Sequence, residues 1–125
     1  MNATTMAKTA YSAPGQPTRT ARGTEYELFA RITHRLKAAA TLGEAGFSSL
    51  ARALHDNRRL WTTLAADVAD PGNQLPAPLR ARLFYLAEFT TQHTRKVLAG
   101  DADAAVLVDI NTSIMRGLRQ EGGTS

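Results

Sequence analysis

The segment from Phe47 to Val68, FSSLARALHDNRRLWTTLAADV, constrains the fold more than any other part of the chain. At the helical period of about 100° per residue, its apolar side chains fall on one continuous arc. They are Phe47, Leu50, Ala51, Leu54, Trp61, Leu64, Ala65 and Val68. This spacing predicts a helix with one face in a hydrophobic core, and the only tryptophan lies on that face.

Helix-ending signals on either side of this segment place the first two helices. The first helix is predicted to begin at Thr24, because Thr24–Glu27 has the sequence of a capping box. Glycines in the segment Gly43–Gly46 end it. The second helix runs from about Ser48 to Ala69, where the turn-forming residues Asp70–Asn73 stop it.

Two more helices follow in the second half of the chain. The third is predicted over Pro78–Ala99, with the proline in its first turn and Gly100 as its stop. The fourth begins near Asp101 or Asp103, either of which can cap it. The chain shows no strand periodicity and its loops are short. The predicted fold is therefore all-α, a compact four-helix antiparallel bundle.

The ends of the chain are predicted to lie outside this bundle. Residues 1–23 are rich in Thr, Ala, Ser, Gly and Pro, which predicts a mostly irregular, flexible arm with a short helical turn around Met6–Tyr11. Residues 24–119 then form a single helical domain, and residues 120–125 form a short disordered tail.

Composition excludes several function classes. The chain has no cysteine, which rules out disulfides, cysteine-ligated zinc and cysteine nucleophiles. It has no secretory signal and no apolar run of the roughly 20 residues that cross a membrane, so we expect a soluble, cytoplasmic protein without membrane contact. The net charge is +4. The basic side of the first helix (Arg31, His34, Arg35 and Lys37) is interpreted as a solvated face, with RNA or DNA contact as the alternative.

No catalytic or metal-binding pattern is present in the sequence. His34, His55 and His93 belong to three different predicted helices, and none has the HExxH spacing of a zinc site. The nucleophile elbow, the Walker loop and the dinucleotide fingerprint are also missing. We therefore expect a non-enzymatic protein that needs no metal and no cofactor.

Polar residues interrupt the apolar faces at Asn57, Thr90, His93 and Asn111. Because a buried polar group without a partner is costly, each should find one. In one interpretation these residues bond each other or nearby carbonyls and fix the register of the helices. In the other, some of them line a groove for a partner helix. Trp61 has the same two interpretations, as a core residue or as an exposed anchor.

Three motifs resemble a known family. They are N-R-x-L-W at Asn57–Trp61, D-x-x-x-P-x-N-x-L-P-x-x-L-R-A at Asp67–Ala81, and D-I-N-x-x-I-M-x-G-L at Asp109–Leu118. They resemble the FlaF family of flagellar biosynthesis regulators, known from alphaproteobacteria, and the similarity runs in order and without large gaps across roughly Tyr11–Leu118. The sequence as a whole resembles that family.

The resemblance implies a non-enzymatic helper of flagellin production that acts after transcription, beside a companion regulator called FlbT. Such a helper would bind the terminal helices of flagellin as an adaptor or secretion chaperone. Alternatively, it would regulate translation of flagellin mRNA, directly or through the FlbT-like partner. The oligomeric state is left open. The residues expected to contact a partner are Tyr26, Phe29, Asn57, Arg58, Trp61, Phe84, Tyr85, Asn111 and Met115.

Overall fold

The computed structural model describes the backbone of residues 16–124 and the side chains of residues 25–117. Its elements are the helices α1 (Gln16–Ala40), α2 (Phe47–Ala69), α3 (Ala77–Leu98) and α4 (Ala105–Thr124), with a single 3-10 turn at Gly43–Gly46. The described part of the chain contains no strand. The predicted all-α fold with four helices is confirmed.

The core consists of two apolar clusters at different heights in the bundle. The first cluster contains Ile32, Leu36, Ala53, Leu54, Val97, Ala104 and Leu107. The second cluster contains Phe29, Trp61, Val68, Leu83 and Ala87, and the half-buried α4 residues Ile110, Ile114 and Met115 pack against it. Helices α1 and α3 pass the second cluster before the first, whereas α2 and α4 pass them in the opposite order. Consecutive helices are therefore antiparallel, as predicted.

Helix packing is uneven around the bundle. Helix α2 packs against both α1 and α3, and α1 also packs against α4. Within the described residues, α2 and α4 are not packed side by side, and the backbones of α3 and α4 are not in close contact along their length. Helices α2 and α4 are thus diagonal to each other across the core.

Two glycines end helices in the left-handed backbone conformation that favours this residue. Gly43 has φ 62° and follows α1, and Gly100 has φ 83° and follows α3. At the end of α3, the Asp101 amide donates to the Lys96 carbonyl at 2.8 Å and the Gly100 amide donates to Val97 at 3.0 Å. This is a Schellman motif, so the predicted stop at Gly100 is confirmed.

Side chains of the second resemblance motif build the connection between α2 and α3. Asn73 donates through Nδ2 to the Asp67 carbonyl at 3.1 Å and accepts the Leu75 amide on Oδ1 at 3.0 Å. Arg80 then donates through Nε to the Leu75 carbonyl at 3.0 Å. One asparagine and one arginine thereby fix the path of the chain between two core helices.

The predicted start of the first helix is wrong. Helix α1 begins at Gln16, so Thr24–Glu27 lies inside the helix and is not a capping box. Pro17 stands in the first turn, where its fixed φ and missing amide suit a helix start. Residues 16–23 of the predicted arm are therefore helical, whereas the predicted turn at Met6–Tyr11 lies outside the described residues.

Helix α4 ends later than predicted. Its backbone is helical to Thr124, beyond Gln120, where the sequence placed the start of the tail. Gln120 and Glu121 are good helix formers, whereas Gly122 and Gly123 are poor ones, so helix propensity accounts only for the first part of this extension.

Gly46 is the tightest point of the α1–α2 connection and provides a test of the fold. A Cβ there would lie 2.6 Å from the Ala39 carbonyl oxygen and 2.6 Å from the Leu42 Cβ. We expect Gly46→Ala to lower the free energy of unfolding by about 1–3 kcal/mol, because backbone must shift to admit the methyl group. Urea unfolding followed by circular dichroism measures this change.

Gly117 is the matched control, since a Cβ on this helical glycine would meet no atom within 4 Å. Gly117→Ala should raise the free energy of unfolding by up to about 1 kcal/mol through helix propensity. If both substitutions stabilised the protein, the close approach at Gly46 would be disproved.

Candidate functional site

A layer of buried polar side chains crosses the bundle between the two apolar clusters. Every helix contributes to it: Thr33 from α1, Asn57 from α2, Thr90 and Thr94 from α3, and Asn111 from α4. On α1, α2 and α3 these residues lie between a residue of the first cluster and a residue of the second. On α4, Asn111 lies between Leu107 of the first cluster and Ile114, which packs against the second. The layer therefore includes the asparagines that interrupt the apolar faces in the sequence.

A hydrogen-bond chain of fixed direction links the two asparagines of this layer to Trp61. The Trp61 indole Nε1 donates to Asn111 Oδ1 at 2.9 Å, and Asn111 Nδ2 donates to Asn57 Oδ1 at 2.8 Å. Because an indole N–H can only donate, the Asn111 oxygen must face Trp61 and its amide nitrogen must face Asn57. All three side chains are fully buried, so the chain joins α2 to α4 across the diagonal of the bundle.

The rest of the layer is only partly bonded. Thr94 Oγ1 donates to the Thr90 carbonyl at 2.7 Å. Asn57 Nδ2 and the hydroxyls of Thr33 and Thr90 have no hydrogen-bond partner among the described residues. The prediction that every polar residue on an apolar face finds a partner is therefore wrong for the Thr90 side chain. Such a layer specifies how helices align, since any slip would leave more buried polar groups unpaired. The structure thus supports the register interpretation of Asn57 and Asn111.

His93 has a different role from the two asparagines. Its Nε2 lies 2.9 Å from the carbonyl oxygen of Asp103, and its ring stacks on Phe89 at a centroid distance of 5.3 Å. Asp103 also accepts the Ala105 amide on Oδ1 at 2.9 Å, which caps α4 as predicted. His93 therefore attaches the end of α3 to the start of α4.

The structure does not bring the residues expected to contact a partner onto one surface. Phe29, Asn57, Trp61 and Asn111 are buried, Tyr26 and Met115 are half-buried, and Arg58, Phe84 and Tyr85 are exposed. Trp61 is a core residue in edge-to-face contact with Phe29, with ring centroids 5.7 Å apart. Asn57, Trp61 and Asn111 do not line an open groove, because all three are fully buried and hydrogen-bonded to one another inside the core.

An open cleft lies instead along the outer side of α1 and α2. It encloses about 360 Å³ and is more apolar than polar. Its apolar lining consists of Leu28, Phe29, Ile32, Leu60 and Leu64. The sequence analysis missed this cleft. The available signal was Leu60, an apolar residue beyond the arc of α2 that faces the core.

Charged side chains form the rim of this α1/α2 cleft. Arg35 Nη2 contacts Asp56 Oδ2 at 2.9 Å, so an ion pair links the two walls. Arg31 on α1 and Arg59 on α2 also line the cleft, and neither forms an ion pair with another described residue. Arg31 and Arg35, assigned from sequence to a solvated face, thus belong to the wall of a cleft.

Among the residues whose side chains the structure describes, no cluster of three or more His, Asp or Glu residues is arranged to hold a metal ion. No described helix combines the length and the apolar character needed to cross a membrane.

A family model described as flagellar protein FlaF matches residues 7–118 of the chain. The chain belongs to the FlaF family. No curated protein and no solved structure matches it in the corresponding comparisons. Membership in the FlaF family implies a role connected with the flagellum, and the hydrogen-bond chain from Trp61 to Asn57 lies in two of the motifs that carry the resemblance.

The bonded layer predicts a non-additive effect of substitution. Asn111→Leu leaves the Trp61 Nε1 and the Asn57 Oδ1 unpaired inside the core, which should lower the free energy of unfolding by about 2–5 kcal/mol. Adding Asn57→Leu removes one of these orphaned groups. The double variant should therefore be at least as stable as Asn111→Leu alone, as measured by urea unfolding.

Ser113→Ala, an exposed change on the same helix, is the control and should alter stability by less than about 0.5 kcal/mol. Simple addition of the two asparagine effects would show that the amides do not act as a unit.

Proposed function

We propose that this FlaF-family protein is a cytoplasmic, non-enzymatic flagellin-binding adaptor or secretion chaperone that promotes flagellin synthesis or export. The family match over residues 7–118 is the observation that carries the proposal. Flagellins have amphipathic terminal helices that expose apolar surface before assembly. A helical protein with an apolar cleft on its surface is suited to cover one of them by helix-in-groove docking.

The α1/α2 cleft supports this proposal by its chemistry and its length. Aliphatic side chains of Leu28, Ile32, Leu60 and Leu64 line it, and it is open to solvent. It extends along α1 from Glu25 to Arg35, a rise of about 15 Å at 1.5 Å per residue. About three turns of a partner helix fit along such a length.

Translational regulation is the second candidate function. It would act on flagellin mRNA either directly or through an FlbT-like partner. The observation in its favour is the exposed basic side of α1, which carries Arg31, His34 and Lys37. A phosphate-binding surface differs from an apolar cleft in its response to salt, because each neutralised phosphate releases counterions.

Size-exclusion chromatography of the protein with monomeric flagellin tests the proposal. We expect co-elution at both low and high salt, since apolar contacts carry most of the affinity. Deletion of the terminal helices of flagellin should abolish the complex. If flagellin never co-elutes, while an FlbT homologue or flagellin leader RNA shifts the peak in a salt-sensitive manner, the regulator function replaces the chaperone function.

A further inference from the structure

We propose that the α1/α2 cleft is a docking site for an amphipathic helix whose apolar stripe is flanked by carboxylates on both sides. This inference rests on the proposed function only for naming flagellin as the source of that helix. The chemistry of the occupant follows from the cleft itself.

The floor of the cleft selects the apolar part of the occupant. Leu28 and Leu60 are half-buried and lie on opposite walls, and Phe29 and Ile32 close the bottom with exposures of only 2% and 4%. A stripe of aliphatic side chains buries this surface and gains about 25 cal/mol per Å² of apolar area removed from water. Leu64 extends the same lining along α2.

The rim selects the charge of the occupant. Arg31 stands on the α1 wall and Arg59 on the α2 wall; both are exposed, and neither has an ion-pair partner among the described residues. Two described acidic residues also line the cleft: Asp56 is already held by Arg35, and Glu25 at the start of the α1 wall has an interaction partner of its own. One unpaired cation therefore faces each flank of a helix in the cleft, and carboxylates on both flanks complement them.

The same observations disfavour RNA in this cleft. Bases stack on exposed aromatic rings, whereas the only ring among the described lining residues, Phe29, is buried against Trp61. The remaining apolar lining is aliphatic, and the two walls offer two unpaired arginines rather than a long basic track. An apolar helix with acidic flanks fits these features and a nucleic-acid strand does not.

Two dye-labelled synthetic helices with the same leucine stripe provide the test, one flanked by glutamates and the other by lysines. Fluorescence anisotropy with the full chain should show the glutamate helix binding at least about tenfold more tightly at low salt. The difference should narrow at high salt, because the exposed rim charges are screened. Equal binding of the two helices, or tighter binding of the lysine helix, would overturn the proposal.

Charge-reversal variants assign the effect to the cleft. Arg31→Glu combined with Arg59→Glu should abolish or reverse the preference for the glutamate helix, with an unchanged melting curve because both side chains are exposed. Arg82→Glu combined with Arg116→Glu is the charge-matched control, since both arginines are exposed and neither lines the cleft. This control should keep the helix preference of the unmodified protein. An effect of the same size in the control would reduce the selectivity to net charge.

Flagellin itself separates this inference from the proposed function. If flagellin binds the unmodified protein and the double variant equally well, the protein is a flagellin adaptor but the cleft is not the docking site. If flagellin does not bind while the glutamate helix does, the cleft has the proposed selectivity and its natural partner is another protein. Competition by a short single-stranded RNA for the glutamate helix would overturn the protein-helix proposal.

Discussion

The indole of Trp61 can only donate a hydrogen bond, and the architecture of the bundle depends on that restriction. It sets the orientation of the Asn111 amide, which in turn sets the orientation of Asn57. These two hydrogen bonds join α2 and α4, which lie diagonally across the bundle and pack little against each other directly. A directional link therefore aligns the two helices that apolar contact alone would leave free to slide.

The two apolar clusters on either side of this layer supply burial, while the layer supplies alignment. Leucine, isoleucine and valine side chains pack adequately in more than one register, so a core made only of them specifies helix alignment weakly. Interrupting it with Asn57 and Asn111 makes the wrong registers costly. Residues of the motifs by which the chain resembles its family thus have structural roles. Asn73 and Arg80, from the same set of motifs, donate hydrogen bonds to backbone carbonyls of the connection between α2 and α3.

Much of the fold could be predicted from sequence because helix periodicity and glycine stops are local signals. The start of α1 could not, since Thr24–Glu27 is a good cap sequence and Pro17, which also suits a helix start, stands in a segment whose Thr, Ala, Gly and Pro content is typical of a loop. The partners of Asn57 also could not be predicted. Helical periodicity shows which face of a helix is buried, and it does not show which residue of another helix lies opposite. The cleft depends on the spacing of two helix flanks, and the position of Leu60 outside the apolar arc of α2 does not show which residues of α1 form the opposite wall.

The contact between Phe29 and Trp61 connects the outside of the molecule with its centre. Phe29 closes the floor of the α1/α2 cleft, and its ring is in edge-to-face contact with the indole of Trp61. The same indole begins the buried hydrogen-bond chain. A ligand in the cleft therefore rests on the core itself, and one that binds only the folded form stabilises the whole domain by mass action. The population of unfolded chains, and with it the rate of removal by cellular proteases, would then depend on how much partner is available.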